Sequence, residues 1–224
     1  MQIISKDPNA LISKPSHSGF SVVELLTVVA ILLIVSAISI PYIFSYTQKY
    51  QSEDQTLKVI DLMQEAKQLA LTRRRTFRFE IDLTDNNMLV IDENGASADD
   101  DAVIKKIPLV PAGQVRVDTA PTVVGKPTPP TLNDAVFATD PIGHLDGGDT
   151  VNSHNVWAAR FNSDGSVVNA SGNPISANLY MWPPTSPGSP DARVLGEVRA
   201  ITLFGGSGAL RYWRYNGTKF VPHQ

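Results

Sequence analysis

The segment from Gly19 to Phe44, G-F-S-V-V-E-L-L-T-V-V-A-I-L-L-I-V-S-A-I-S-I-P-Y-I-F, is almost wholly apolar. Its last 20 residues, Leu25 to Phe44, contain no charged side chain. A helix of about 20 apolar residues crosses roughly 30 Å of hydrocarbon. Glu24 is the one charged residue of the stretch. Because a charge in hydrocarbon costs about 2.5–3.5 kcal/mol on insertion scales, we expect Glu24 to have a partner and a function.

The composition of the whole chain is that of a globular protein. Its 224 residues are 42% apolar, which is enough for one sizeable core plus an additional element. The net charge of -3 argues against a nucleic-acid-binding surface over the whole chain, although it leaves a local basic patch open. The chain has no cysteine, which excludes disulfides, thiolate metal sites and cysteine nucleophiles.

Residues 1–19 differ from the apolar segment that follows them. They are polar, contain two prolines and end in Gly19, so we interpret them as a removable leader. A secretory signal peptide has an apolar region of about 7–15 residues, followed by a small-residue cleavage site. Here the apolar run is longer and leads into more helix, so we expect residues 20–44 to be retained as a transmembrane helix. Export as a soluble protein, after cleavage beyond the apolar run, is the competing interpretation.

Gly19, Phe20 and Glu24 stand in a pattern that resembles the class III leader of type IV pilins and type II secretion pseudopilins. In that family a membrane-bound prepilin peptidase cuts after the glycine, on the cytoplasmic side, and methylates the new N-terminal amine. The resemblance therefore implies cleavage between Gly19 and Phe20. It also implies that Glu24 pairs with the N-terminal amine of a neighbouring subunit, which would offset the burial of both charges. An incidental charge that reaches the membrane interface is the alternative for Glu24.

The same resemblance implies a location and a set of partners. The chain would be a single-pass protein of the bacterial inner membrane, with its globular domain in the periplasm, and would enter a periplasmic or extracellular filament. Its partners would be other pilins or pseudopilins, the prepilin peptidase and the inner-membrane assembly platform. Pro41 resembles a proline that is common in the family and predicts a kink or a melted stretch of helix.

Residues 45–75 are predicted to continue the helix with one apolar face. The apolar residues that recur at helical spacing are Val59, Leu62, Met63, Ala66, Leu69 and Ala70. No glycine occurs between Phe20 and Arg74, so we expect one helix of about 55 residues, transmembrane in its first half and amphipathic in its second. The basic cluster near its end comprises Arg73, Arg74, Arg75 and Arg78. We interpret these arginines as solvated side chains at a helix C-terminus, with phosphate or anionic-lipid contact as the alternative.

Residues 76–224 are predicted to form a β-rich domain. The stretch T-F-R-F-E-I-D-L indicates a half-buried strand, because apolar Phe77, Phe79, Ile81 and Leu83 alternate with charged Arg78, Glu80 and Asp82. Turn residues at 84–87 and the returning stretch M-L-V-I-D-E predict a hairpin. Further strands are expected at 103–107, 114–118, 156–162, 166–169, 194–204 and 210–215. The predicted fold class is α+β, with a long N-terminal α-helix packed on a C-terminal all-β domain of two sheets.

Two proline-rich stretches, 120–133 and 173–191, interrupt the strand pattern. We expect both to be long surface loops, which are natural places for contacts with partners. The large apolar side chains of Tyr180, Met181 and Trp182 could instead cover a sheet.

Patterns for catalysis and metal binding are weak. The stretch G-G-S-G-A at 205–209 lacks the closing glycine of a nucleophile elbow, so we expect no enzyme activity and no cofactor. The stretch Asp140 to His154 groups three aspartates with two histidines, but the spacing matches no closed metal-binding motif. We expect a solvated loop without a metal there, and an exposed turn at Asp99, Asp100 and Asp101.

The C-terminal sequence A-L-R-Y-W-R-Y-N-G-T-K-F predicts a hairpin with its turn at Asn216-Gly217. Alternation places Arg211, Trp213 and Tyr215 on one face of the strand and Tyr212 and Arg214 on the other. A basic and aromatic surface of Arg211, Trp213, Arg214 and Lys219 would suit nucleic-acid backbones and stacked bases. Aromatic side chains packed in the last strands, with solvated arginines, are the alternative.

Two further pieces resemble the minor pseudopilin type, represented by the H subunit of type II secretion and by the FimT family. They are R-F-N-S-D-G-S-V at 160–167 and I-T-L-F-G-G-S-G-A-L-R at 201–211. The implied function is that of a non-enzymatic minor pilin or pseudopilin, which is assembled into a type II secretion pseudopilus or a type IV pilus. The leader and the helix are common to both kinds of filament and do not distinguish between them. The alternative is a FimT-like minor pilin that binds DNA for uptake through its C-terminal hairpin, although Ala209 stands where an arginine would strengthen that resemblance.

Overall fold

The computed structural model describes residues 19–93, 101–139 and 142–223, without the side chains of residues 41–49. The leader residues 1–18 and the aspartates Asp99, Asp100 and Asp140 therefore lie outside the described residues. The chain divides into two compact units, residues 1–44 and residues 45–224. The first unit contains the start of helix α1, and the second contains the rest of this helix and every strand described below.

Helix α1 runs from Val22 to Arg73 and is 52 residues long, close to the length expected from the absence of glycine. It ends where Arg74 adopts a left-handed conformation, with a φ of 53°, which is a common way for a helix to stop. The backbone is helical through Pro41, so the described residues do not show the melted stretch expected there. A proline removes only one helical hydrogen bond, and the neighbouring turns keep theirs.

Fourteen strands follow among the described residues. Their bounds are β1 (Thr76–Asp82), β2 (Asn87–Glu93), β3 (Ala102–Pro108), β4 (Arg116–Asp118), β5 (Asn133–Asp134), β6 (Ala138–Thr139), β7 (His144–Asp146), β8 (Asp149–Val151), β9 (Asn155–Phe161), β10 (Val167–Val168), β11 (Ala177–Trp182), β12 (Arg199–Phe204), β13 (Ala209–Tyr215) and β14 (Phe220–Pro222).

These strands form two sheets, which confirms the predicted α+β chain with a β-rich C-terminal domain. The first sheet has the order β10-β9-β1-β2-β3-β7-β8, with β6 also paired to β9. The second sheet has the order β14-β13-β12-β11-β4, with β5 also paired to β11. The predicted hairpin of β1 and β2 is confirmed, since Thr76 lies opposite Glu93 and Asp82 opposite Asn87.

One face of α1 is buried within the second unit, as the helical spacing indicates. Its buried residues, none more than 2% exposed, are Val59, Leu62, Met63, Ala66 and Ala70. They form one hydrophobic cluster with Phe77 and Phe79 of the first sheet and with Met181 and Ile201 of the second. The other face of the second sheet has a separate cluster around Tyr180, Trp182 and Trp213.

The structure differs from the expected strand pattern in several places, among them the short strands β6, β7 and β8, which were not expected. Strand β1 is buried on both faces, because Arg78, Glu80 and Asp82 are at most 1% exposed. The stretch 173–191 is not a surface loop throughout, since it contains β11, a buried strand of the second sheet. The strand expected at 194–204 begins only at Arg199, after a 3-10 helix at Leu195–Glu197. The stretch 120–133 is a loop, as expected, up to its last residue, which begins β5.

Candidate functional site

The first candidate site is the start of α1, where the residues of the leader pattern lie close together. Gly19 and Phe20 precede the helix, and Glu24 lies in its first turn. The backbone N–H of Leu25 donates to the carbonyl of Ser21 at 3.1 Å, so Glu24 stands inside the hydrogen-bonded helix. Phe20 is 82% exposed, and Glu24 is exposed as well. An amine created at Phe20 would therefore stand about one helical turn before this carboxylate.

The segment Val22–Ile40 is apolar and exposed on every side. It is long and apolar enough to cross a membrane, and none of it is buried. The hydroxyl groups of Thr27 and Ser39 donate to the carbonyls of Val23 and Val35, each at 2.8 Å. These bonds satisfy both hydroxyl groups within the helix, as a hydrocarbon environment requires. The segment is compatible with a single-pass membrane anchor.

The C-terminal hairpin does not bring its predicted residues to one surface. Trp213 is 1% exposed, and its indole N–H donates to the hydroxyl of Thr202 at 2.8 Å, so its ring is closed to stacking on a base. The guanidinium carbon of Arg211 lies 5.4 Å from the centroid of the Trp213 ring, and Nη1 donates to the carbonyl of Pro129 at 3.2 Å. The exposed cations of the predicted surface are Arg211, Arg214 and Lys219. Arg211 and Arg214 lie on opposite faces of β13, so they do not form one patch.

A set of charged side chains lies buried or half-buried on the outer face of the first sheet. We call it the charge layer; it comprises Arg78, Glu80, Asp82, Glu93, Asp101, His144, His154 and Arg160. The side chains of Glu80, Asp82, Glu93 and Asp101 are at most 2% exposed. Nitrogen atoms of Arg78 lie 3.5 Å from Glu80, 3.6 Å from Glu93 and 3.7 Å from Asp101. The expectations of a solvated Arg78 and of an exposed turn at Asp101 are therefore wrong. The loop expected to be solvated at 140–154 is not solvated at His144, which is 2% exposed.

One group of potential metal ligands occurs among the described residues. Donor atoms of Asp82, Asp85 and His154 lie within 4.8 Å of one another. However, Nδ1 of His154 and Oδ2 of Asp82 are only 2.6 Å apart, which is a hydrogen-bond distance. Two ligands bound to one ion at about 2.0–2.2 Å would be separated by roughly 3 Å or more. We therefore interpret this contact as an ion pair.

The environment of His154 favours its charged form. Oδ1 of Asp82 accepts the backbone N–H groups of Thr84 and Asp85 at 2.7 and 3.1 Å, which holds the carboxylate in place. The hydrogen bond that the imidazole donates to Asp82 raises the pKa of His154 above its ordinary value, and this outweighs the opposing effect of desolvation. The carboxylate of Asp82 thus favours the imidazolium form of His154.

The two places differ in what they can do. The start of α1 exposes an apolar surface with a single acid, which suits lipid and the helices of other chains. The charge layer is largely shielded from solvent, and its contacts join β1 to residues 143–154. A comparison of the chain with protein-family models, with curated proteins and with solved structures finds no match.

Proposed function

We propose that the chain is a non-enzymatic minor pilin or pseudopilin, cut after Gly19 and assembled through its N-terminal helix into a type II secretion pseudopilus or a type IV pilus. The observation that carries this proposal is the start of α1. An exposed apolar helix begins two residues after Phe20 and has an acid in its first turn. Gly19, Phe20 and Glu24 resemble the class III leader, in which the apolar helix and its acid both serve filament assembly.

The charges at the start of α1 provide a driving force for assembly. In the inner membrane, Glu24 and the amine of processed Phe20 would each carry a charge into or beside hydrocarbon, at about 2.5–3.5 kcal/mol per group on insertion scales. In a filament, the amine of one subunit would lie beside Glu24 of its neighbour, and each charge would offset the other. The amine exists only after the leader is cut, so processing would control entry into the filament.

The same helix also takes part in the domain. Its residues from Val59 to Ala70 lie in the core of the second unit, together with both sheets. A filament built through residues 20–44 would therefore display the β-rich domain without a separate linker. The apolar segment and the helical residues in the domain core are both parts of α1.

The first test is the N-terminus of the mature protein. The full chain is produced in a bacterium that has a prepilin peptidase, and its first residue is determined by mass spectrometry. We expect N-methylated Phe20. The control variant Gly19→Val should keep the leader, and a Cβ at this position meets no atom within 4 Å, so the described fold is undisturbed. A wild-type chain that keeps Met1 would contradict the proposal, and one that begins after Ile40 would favour an exported soluble protein.

The second test is assembly of the Glu24→Ala variant. Removal of the acid leaves the neighbouring amine without its partner, so we expect incorporation into sheared filaments to fall at least about tenfold, as 1.4 kcal/mol or more would produce. Immunoblots of filament fractions measure this. Asp61→Ala is the matched control, because Asp61 is an exposed acid of the same helix. Incorporation of Glu24→Ala at the level of this control would contradict the role of the acid.

DNA binding is the second candidate function. It rests on the exposed cations Arg211, Arg214 and Lys219, and the burial of Trp213 removes its stacking component. Gel retardation of the full chain in detergent at low salt tests it, with the double variant Arg211→Ala and Arg214→Ala as control. A shift that salt and the double variant both remove would support DNA binding, and the absence of any shift would eliminate it.

A further inference from the structure

Strand β9 has one edge that is paired at both ends and open in the middle. Its other edge pairs with β1 from Val156 to Phe161. On the edge away from β1, β6 pairs with the first two residues of β9, and β10 pairs with the last two. Trp157, Ala158 and Ala159 lie between, and no residue in the part of the chain that the structure describes pairs with them on this edge. We call this edge of residues 157–159 the open edge.

The backbone groups of Ala158 point to the open edge. The carbonyl of Asn155 accepts the N–H of Leu83, which follows β1, at 2.9 Å, so Asn155 points its backbone groups towards β1. The N–H of Asn162 donates to the carbonyl of Ser166, just before β10, at 2.9 Å, so Asn162 points the other way. Alternate residues of a strand point their backbone groups to the same edge, so Ala158 has the direction of Asn162. Its N–H and C=O therefore point away from β1.

The chain turns away from the open edge on both sides. Before β6 it runs beside the second sheet, where the N–H of Ala135 donates to the carbonyl of Asn178 in β11 at 2.7 Å. After β10 it enters a turn, in which the N–H of Asn169 donates to the carbonyl of Asn173 at 2.9 Å. Because both segments diverge, neither continues its pairing with β9 as far as Ala158.

A cavity of about 520 Å³ lies beside the open edge, with Trp157 and Ala158 in its wall. Residues from the segments 133–139 and 169–177 form its other walls. Among its described lining residues, Asp134 alone is charged. An oxygen of Asp134 lies 3.4 Å from Nζ of Lys126 and accepts the hydroxyl of Tyr180 at 2.9 Å, so this charge already has partners. The cavity therefore suits uncharged groups.

The open edge has room for about three residues of an extended chain. Val156 and Arg160 are the nearest residues of β9 that are paired on this edge, and they lie about 13 Å apart along the strand at about 3.3 Å per residue. The central residue of an added strand would pair with Ala158. Its two neighbours would place their side chains on the face of Trp157 and Ala159, which is the core face of β9 and borders the cavity.

We propose that the open edge of β9 is a docking site for an extended, uncharged segment of another polypeptide, which pairs with Ala158 and places two apolar side chains in the cavity. A strand edge with unpaired backbone groups is a template for such pairing. The backbone of Ala158 supplies hydrogen bonds to any sequence, and the cavity selects apolar side chains over charged ones, whose burial there would be costly. The site lies in the β-rich domain and does not depend on the proposed membrane anchor or filament.

Hydrogen exchange of the full chain in detergent tests whether the open edge is free in solution. The N–H of Ala158 should exchange at least about tenfold faster than those of Trp157 and Ala159, which point towards β1. Equal protection of the three would overturn the proposal, because another segment of the chain would then already occupy the edge.

Binding is tested with the peptide acetyl-Val-Ala-Val-amide, whose two valines face the cavity when its alanine pairs with Ala158. NMR follows the backbone amide of Ala158 in the full chain up to about 5 mM peptide, since so small a contact is weak. We expect a saturable shift of this signal and slower exchange of its N–H. The matched peptide, N-methylated at its alanine, lacks a donor for the strand pair and should bind at least about tenfold more weakly. The absence of a saturable shift, or equal binding of the two peptides, would overturn the proposal.

The variant Val136→Glu tests the cavity. Val136 lines it and is 72% exposed, so a carboxylate there adds a charge to the site without entering the core, and peptide affinity should fall at least about tenfold. Val123→Glu is the matched control, since Val123 is 68% exposed and is not among the described lining residues; its affinity should stay within about twofold of the wild type. Equal affinities of the two variants would overturn the proposal. If Val136→Glu does not fold, the comparison of the two peptides on the wild-type chain decides the question.

Discussion

Gly205 lies against the backbone of Ile175, which leaves no room for a side chain. Its N–H donates to the hydroxyl of Ser176 at 2.9 Å, and its carbonyl accepts the N–H of Val167 at 2.7 Å. A Cβ at this position would lie 2.1 Å from the carbonyl oxygen of Ile175. Real Cβ atoms do not approach backbone oxygen so closely, so the backbone around Ile175 must shift before any side chain can be accommodated.

We expect Gly205→Ala to lower the free energy of unfolding by about 3 kcal/mol, because the backbone around Ile175 must shift. Chemical denaturation followed by tryptophan fluorescence measures this change. Gly206→Ala is the matched control, since a Cβ there meets no atom within 4 Å, and it should cost less than about 0.5 kcal/mol. Equal costs for the two substitutions would show that the contact with Ile175 is relieved without loss of stability.

At the scale of the element, β1 is a strand with two buried faces of opposite character. One face places Phe77, Phe79 and Ile81 in the hydrophobic core. The other face places Arg78, Glu80 and Asp82 in the charge layer. Removal of one member of a buried charge network leaves the others uncompensated, which is far more costly than loss of an exposed pair.

Arg78→Met should therefore lower the free energy of unfolding by about 3–5 kcal/mol, since Glu80, Glu93 and Asp101 would lose a shared cation. Arg73→Met is the matched control. Arg73 lies 3.5 Å from Asp92, but its side chain is 52% exposed, so its loss should cost no more than about 1 kcal/mol. Denaturant titrations of both variants decide the matter. A cost of Arg78→Met as small as that of the control would mean that water reaches the charge layer.

At the scale of the whole molecule, residues 45–224 contain both hydrophobic clusters and both sheets. The helical residues Val59 to Ala70 belong to the first of these clusters. The second unit thus has what an independently folded domain needs, provided that its part of α1 is included.

A fragment of residues 45–224 should fold alone and unfold in one cooperative transition, because its cores are complete. It should stay in solution with lipid vesicles, whereas the full chain should float with them. A fragment of residues 76–224 is the control, and it should aggregate, because the buried face of α1 is missing. The role assigned to the helix would be contradicted if the shorter fragment unfolded cooperatively, or if the longer fragment did not.

Much of the fold could be predicted from local patterns. The helical spacing from Val59 to Ala70 depends on neighbouring residues, and so does the β1–β2 hairpin, and the structure confirms both. Strand β11 was missed because its sequence A-N-L-Y-M-W is buried on both faces and therefore does not alternate. The prolines around it indicate a loop, and only its position between β12 and β4 makes it a strand.

The two candidate places divide in the same way. The pattern of Gly19, Phe20 and Glu24 before an apolar helix can be recognised without a structure, since it lies within a few residues. The burial of Arg78, Glu80 and Asp82 becomes visible only in the fold, because the residues that contact them lie far along the chain, with Gly143 placed 65 residues after Arg78. Alternation shows that a strand has a polar face, but it carries no information about whether water or a distant segment of the chain covers that face.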